Sequence, residues 1–193
     1  MPAIAGGPAF AGMADIVIAT YGDFSVSAPT PTSVFICHGF GCKYRTEVVL
    51  SGMDRARLAQ MLAAGQGSAA AERRAVAAAG AWFDRRVGPV AGTQHHVARA
   101  GMGHMSDSAQ YDCIDTSRNT TSLLLVLDQM KLLRHHRVDN PEGRGHLFDG
   151  YPPHATAVLT EKVSGTSWSI DAWTRGYGQQ PEIMPLATWM TLD

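Results

Sequence analysis

Three side chains in this sequence could act together as a working thiol. Cys113 stands where a long apolar run begins, directly after Tyr111-Asp112. If that run is helical, its first turn presents unpaired N–H groups and a positive dipole end. Both favour the thiolate, the nucleophilic form of cysteine. A nucleophilic cysteine needs a base, and the base needs an orienting group. His154 heads an alternating apolar run after Pro152-Pro153, and Asp171 lies on the next such run, beyond Gly165. Adjacent antiparallel strands would set these two side by side, one imidazole nitrogen on the carboxylate and the other free for sulfur. Singly, each residue has an ordinary reading: a buried small hydrophobe for Cys113, a strand-edge histidine, and a carboxylate beside Arg175. Their joint order favours catalysis.

The elements that must position them follow from local pattern. Ser33–Cys37 is β-branched and aromatic and predicts a strand, Gly39-Phe40-Gly41 a turn, and Tyr44–Leu50 the returning strand. Ser51 predicts an N-cap for a helix carrying Met53, Leu58, Met61 and Leu62. Ser68 caps an Ala-rich helix, Ala69–Val87, stopped by Gly88-Pro89, with Gly80 as a point of approach for another helix. A helix over Cys113–Leu133 is apolar nearly all round and must be buried. His154–Val163 and Ser167–Ala172 predict strands around a Gly165 turn, and Pro185–Met190 a last short helix. Residues 1–32 read as a flexible arm with a strand at Ile16-Val17-Ile18. Residues 33–193 read as one domain, a hairpin plus helical subregion over 33–109 and a catalytic core over 110–193. The class is α+β.

The order of cysteine at a helix start, histidine on a strand and aspartate on the next strand resembles the transglutaminase-like superfamily. The likeness rests on Tyr111-Asp112-Cys113-Ile114-Asp115, on His154-Ala155-Thr156-Ala157-Val158-Leu159 and on Trp168-Ser169-Ile170-Asp171-Ala172-Trp173. Within the superfamily it is most similar to the bacterial transglutaminase-like cysteine proteinases. The resemblance implies a papain-like core and acyl transfer through a thioester, with catalytic roles for Cys113, His154 and Asp171. It implies a peptide or protein substrate and a cysteine peptidase or amidase, or a transglutaminase-like acyltransferase in which an amine resolves the thioester. Some members bind calcium at an Asp-Cys-Glu-Asp run; Asp112 and Asp115 match it, but Ile114 replaces Glu, which leaves calcium in doubt. Residues 33–109 match no family pattern.

Other residues complete the candidate set. The Cys113 N–H would serve an oxyanion, with Gln110 as second donor by proximity and Gln94 or an indole as alternatives. Asp112, Asp115, Ser117, Thr120, Trp168 and Trp173 are expected to line the cleft. Cys37-His38-Gly39-Phe40-Gly41-Cys42 could close a small disulfide loop, stay reduced, or hold zinc with a histidine from the loop containing His95, His96 and His104. The cluster Lys131, Arg134, His135, His136 and Arg137 reads as a solvated helix end, and Arg73-Arg74 and Arg85-Arg86 as a solvated helix face.

Composition bounds these readings. The chain has 193 residues, 45% hydrophobic, with net charge −1. That suits one domain and argues against a nucleic-acid partner held by phosphate contacts. No apolar stretch is long enough for a membrane span. Three cysteines cannot all pair within the chain, so one thiol is left over. No Lys or Arg precedes Lys43, while Ala9-Phe10-Ala11 looks like a cleavage site. A periplasmic or exported location is preferred over a cytoplasmic one, because Cys37 and Cys42 could then pair. Two other functions stand beside the enzyme: a non-catalytic interaction protein with the same fold, and a Cys/His metal binder. Oligomeric state is left open.

Overall fold

The computed structural model describes residues 12–22, 27–145 and 153–192. Ala9–Ala11 and Pro152 lie outside them. The fold is α+β, as expected, with two antiparallel sheets: a hairpin of β1 (Ser33–His38) and β2 (Tyr44–Val49), and a meander of β3 (His136–Arg144), β4 (His154–Glu161), β5 (Ser167–Asp171) and β6 (Glu182–Pro185). The helices are α1 (Met13–Tyr21), α2 (Gly52–Ala63), α3 (Ala69–Ala91), α4 (Cys113–Gln129) and α5 (Leu186–Trp189).

α4 is the axis of the molecule. Leu123, Leu124, Leu125, Val126 and Leu127 are each buried. β4 and β3 pack against this helix, β1 lies against it from the hairpin, and α1 and α3 also touch it. Its all-round apolar character is thus satisfied by neighbours on every side.

Several expectations shift for physical reasons. Ile16-Val17-Ile18 lie in α1 rather than in a strand. The Asp15 carboxylate accepts the Gly12 N–H at 2.9 Å and caps the first turn, and Ile16 is buried in the core. α3 runs through Pro89 to a left-handed Gly92. Proline cannot donate to the Arg85 carbonyl four residues back. The Tyr177 hydroxyl donates to it instead, at 3.1 Å, and Gly88 leaves room for that ring, since a Cβ there would lie 2.6 Å from Tyr177. Gly80 admits Pro181, not a helix.

The basic cluster is solvated only in part: Lys131 and Arg134 are exposed beyond the end of α4, but His136 is not. α4 stops at Gln129, and His136 opens β3 fully buried. Its Nδ1 donates to Glu72 of α3 at 2.8 Å. Glu72 also accepts the backbone N–H groups of Arg134, His135 and His136. Burial pushes the imidazole down, so it is neutral, and its Nε2 accepts from Arg73 at 3.1 Å. The arginine pairs of α3 divide: Arg74 and Arg85 are exposed, as expected, but Arg73 bridges to Glu161, and Arg86 pairs with Asp54 at 2.9 Å.

β4 and β5 pair with Ala157 opposite Ile170 and Leu159 opposite Trp168. Continuing that register sets Thr156 opposite Asp171. His154, two residues before Thr156, shares its face. The sheet therefore places His154 and Asp171 as diagonal neighbours over the start of α4.

Candidate active site

Cys113 is the first residue of α4, half-buried behind its N-cap, Asp112. Its sulfur lies 3.8 Å from the Pro153 carbonyl and accepts the Ala155 N–H. The thiol thus touches the residues on both sides of His154. His154 is buried, with Nε2 2.6 Å from Asp171 Oδ2. Asp171 also accepts the Trp189 indole N–H at 2.9 Å on the same oxygen and the Trp173 backbone N–H at 3.2 Å on the other. Burial pushes this carboxyl up, but His154 and the indole outweigh it and hold it below the ordinary range. As an anion it fixes the proton on Nε2. Nδ1 is buried and has no hydrogen-bond partner, so its lone pair is available. Trp173 and Trp189 pack on the imidazole at 4.8 and 5.3 Å between centroids.

The thiol differs from its sequence expectation. Burial pushes its pKa up; the Ala155 N–H pulls it down, and the Asp112 and Asp171 carboxylates add to the rise. The helix dipole does not overcome them. The resting sulfur is protonated, and ionising it requires a base.

Asp112 and Asp115 do not line the cleft. They form a capping box and face the 37–42 loop. Cys37 and Cys42 are joined as a disulfide. Between them Gly39, Phe40, Gly41 and Cys42 all take left-handed φ, from 58° to 78°. Successive N–H groups therefore converge. Phe40 and Cys42 donate to Asp115 at 2.9 and 2.6 Å, and Gly41 donates to Asp112 at 2.7 Å. Asp115 is fully buried, and burial with the adjacent Asp112 pushes its carboxyl up to about 7.

The zinc reading loses its ligands, because both sulfurs are in the disulfide. His38 Nδ1 lies 2.7 Å from the Ser108 carbonyl and Nε2 3.0 Å from Thr46 Oγ1. Backbone N–H groups occupy the carboxylate oxygens that calcium would need. Among the described residues no group of three or more His, Cys, Asp or Glu is placed to share a metal.

Gln110 is turned away from Cys113. Its amide oxygen accepts the Val97 N–H, and its nitrogen reaches His95 O and Asp107. Trp168 lies against Arg73, whose guanidinium carbon is 3.6 Å from the ring centroid, at the far end of the sheet from Asp171. Ser117 is buried in the helix, and Thr120 lines a small cavity beside Gly80 and Pro181. Of the expected cleft residues only Trp173 is at the site.

Beside His154 opens a cleft of about 600 Å³, with walls from Asp171, Trp173, Trp189, Arg99 and Arg144. Trp189 was a site residue that the sequence reading missed. Its only signal was an indole in the predicted last helix, and nothing in its spacing tied it to Asp171. No helix among the described residues is long and apolar enough to cross a membrane. No family model matches the chain, and neither a curated protein nor a solved structure matches it.

Proposed function

We propose that this chain is a thiol-dependent acyl-transfer enzyme on a papain-like or transglutaminase-like core, a cysteine peptidase or amidase acting on a peptide or protein. The observation that carries the reading is His154: Nε2 is held by Asp171, while Nδ1 is buried and open beside the residues that touch the Cys113 sulfur.

In this reading Nδ1 takes the thiol proton as sulfur attacks the substrate carbonyl carbon. The Cys113 N–H at the helix start has no intrahelical acceptor and meets the developing oxyanion. The imidazolium then protonates the leaving amine, and water attacks the thioester with His154 again as base. Asp171 orients the ring and stabilises its cationic form. The disulfide supports a periplasmic or exported location, since such bonds persist in oxidising compartments.

One observation favours the non-catalytic alternative: the thiol is held protonated by burial and two carboxylates. Iodoacetamide labelling at pH 7 separates the two. A working triad labels Cys113 well above a free thiol, and His154→Ala slows it by on the order of 10²-fold. Equal, slow labelling of both proteins overturns the triad.

A further inference from the structure

We infer that Arg99 forms an anion-binding subsite in the cleft beside His154, so that the preferred acyl substrate carries a carboxylate close to its reacting carbonyl. This rests on the acyl-transfer reading and adds to it a substrate class.

Among the described residues, the other charges lining the cleft are spoken for. Asp171 is held by His154 and Trp189. Glu182 pairs with Arg175 at 2.6 Å. Arg144 donates to the carbonyls of Trp189 and Leu192. Arg99 lines the same cleft as His154, Asp171 and Trp173 and is exposed. No hydrogen bond or ion pair joins its guanidinium to any described residue.

Its mounting is fixed although its side chain is uncommitted. The Arg99 N–H donates to the Trp173 carbonyl at 2.8 Å, and the Tyr177 N–H donates to the His96 carbonyl at 3.2 Å. The segment carrying Arg99 is thereby tied to the segment whose Trp173 ring packs on His154. Arg99 also takes φ 53°, a region that a residue with a side chain rarely adopts. An unpaired guanidinium offers five donors in a planar fork that matches a carboxylate. With the described carboxylates of the cleft, Asp171 and Glu182, both engaged, it gives the described lining an excess of positive charge, which concentrates anionic ligands.

The test uses the full chain and peptide chloromethyl ketones that alkylate Cys113. Matched pairs carry Glu or Gln at the first, second or third residue before the reactive carbon. Each rate, read from the mass shift at Cys113, is divided by the same protein's iodoacetamide rate. For at least one position the wild-type protein is expected to prefer Glu over Gln by about tenfold. Arg99→Ala should bring that ratio near one, and Arg99→Glu should invert it. Ratios that neither variant changes at any position overturn the subsite while leaving the thiol chemistry intact. Failure of every reagent to label Cys113 faster than it labels the His154→Ala protein overturns the acyl-transfer reading itself, and the subsite with it.

Discussion

Trp189 donates its indole N–H to the same Asp171 oxygen that holds His154, at 2.9 Å. The last helix of the described chain therefore completes a site begun on α4 and the meander sheet. A hydrogen bond to a buried charged group contributes about 1.5–3 kcal/mol. Trp189→Phe keeps most of the ring and removes only the donor. Asp171 then loses one of the contacts that hold its carboxyl low, so the acid limb of the Cys113 labelling-rate profile should move to higher pH. Superimposable profiles would show that the indole is only packing.

The disulfide loop carries the second expectation. It is short, so the chain-entropy model credits closure with about 2 kcal/mol. Reduction should cost at least that, because the 40–42 N–H groups also lose the geometry that aims them at Asp112 and Asp115. Urea unfolding with and without reductant, after blocking Cys113, measures it. A midpoint that reductant leaves in place would mean that the carboxylates hold the loop unaided.

Asp115 predicts a pH dependence. Its carboxyl is raised from 3.8 to about 7 by burial and by Asp112. The folded state then binds the extra proton between those values. Its contribution is present below about pH 4 and is lost as pH rises through 7. Asp171 and Glu72, whose carboxyls are held low, contribute in the opposite sense and lose stability as pH falls. Differences isolate the Asp115 term: the stability of wild type minus that of Asp115→Asn should fall between pH 4.5 and 8. A constant gap would reject the raised carboxyl.

Sequence pattern carried much of this architecture because local rules dominated it. Ser51 and Ser68 each stand at an N-cap, and the hairpin turn lies at Gly39–Gly41, whereas the N-cap role of Asp112 emerges only from the structure. The buried α4 was legible from its apolar run, and the diagonal placing of His154 and Asp171 from two strands and a glycine turn. Long-range matters were not legible. Nothing local places Glu72 under β3, Trp189 on Asp171, or the Phe40 and Cys42 amides on Asp115. The thiol environment was misread for the same reason: the helix start is a local feature, but burial and the two carboxylates outweigh it. β3 was missed because its basic start resembles a helix end, and only Glu72 makes burial of His136 tolerable.

Glu72 accepts three backbone N–H groups and the His136 Nδ1 proton while almost fully buried. Glu72→Ala leaves these donors unanswered and should cost about 3–5 kcal/mol. The loss should appear in the urea midpoint. The Cys113 labelling rate of the folded fraction should stay near wild type, since this cluster lies outside the cleft. A selective loss of labelling without loss of stability would contradict a purely structural role.

Asp112 does two things to Cys113 that can be separated. Its side chain caps α4 by accepting the Asp115 N–H at 2.8 Å, and its charge helps keep the neighbouring thiol protonated. Asparagine is about as good an N-cap as aspartate but carries no charge. Asp112→Asn should therefore lower the thiol pKa and raise the labelling rate at pH 7 by roughly two- to tenfold, while the Gly41 N–H, which donates to the second Asp112 oxygen, loses its acceptor. Asp112→Ala removes cap and charge together, so it should share the rate gain only if α4 keeps its first turn. The pH profile of Cys113 labelling in the two variants decides the matter. If Asp112→Asn labels more slowly than wild type, the carboxylate acts by positioning the helix start, and the charge is not what holds the thiol protonated.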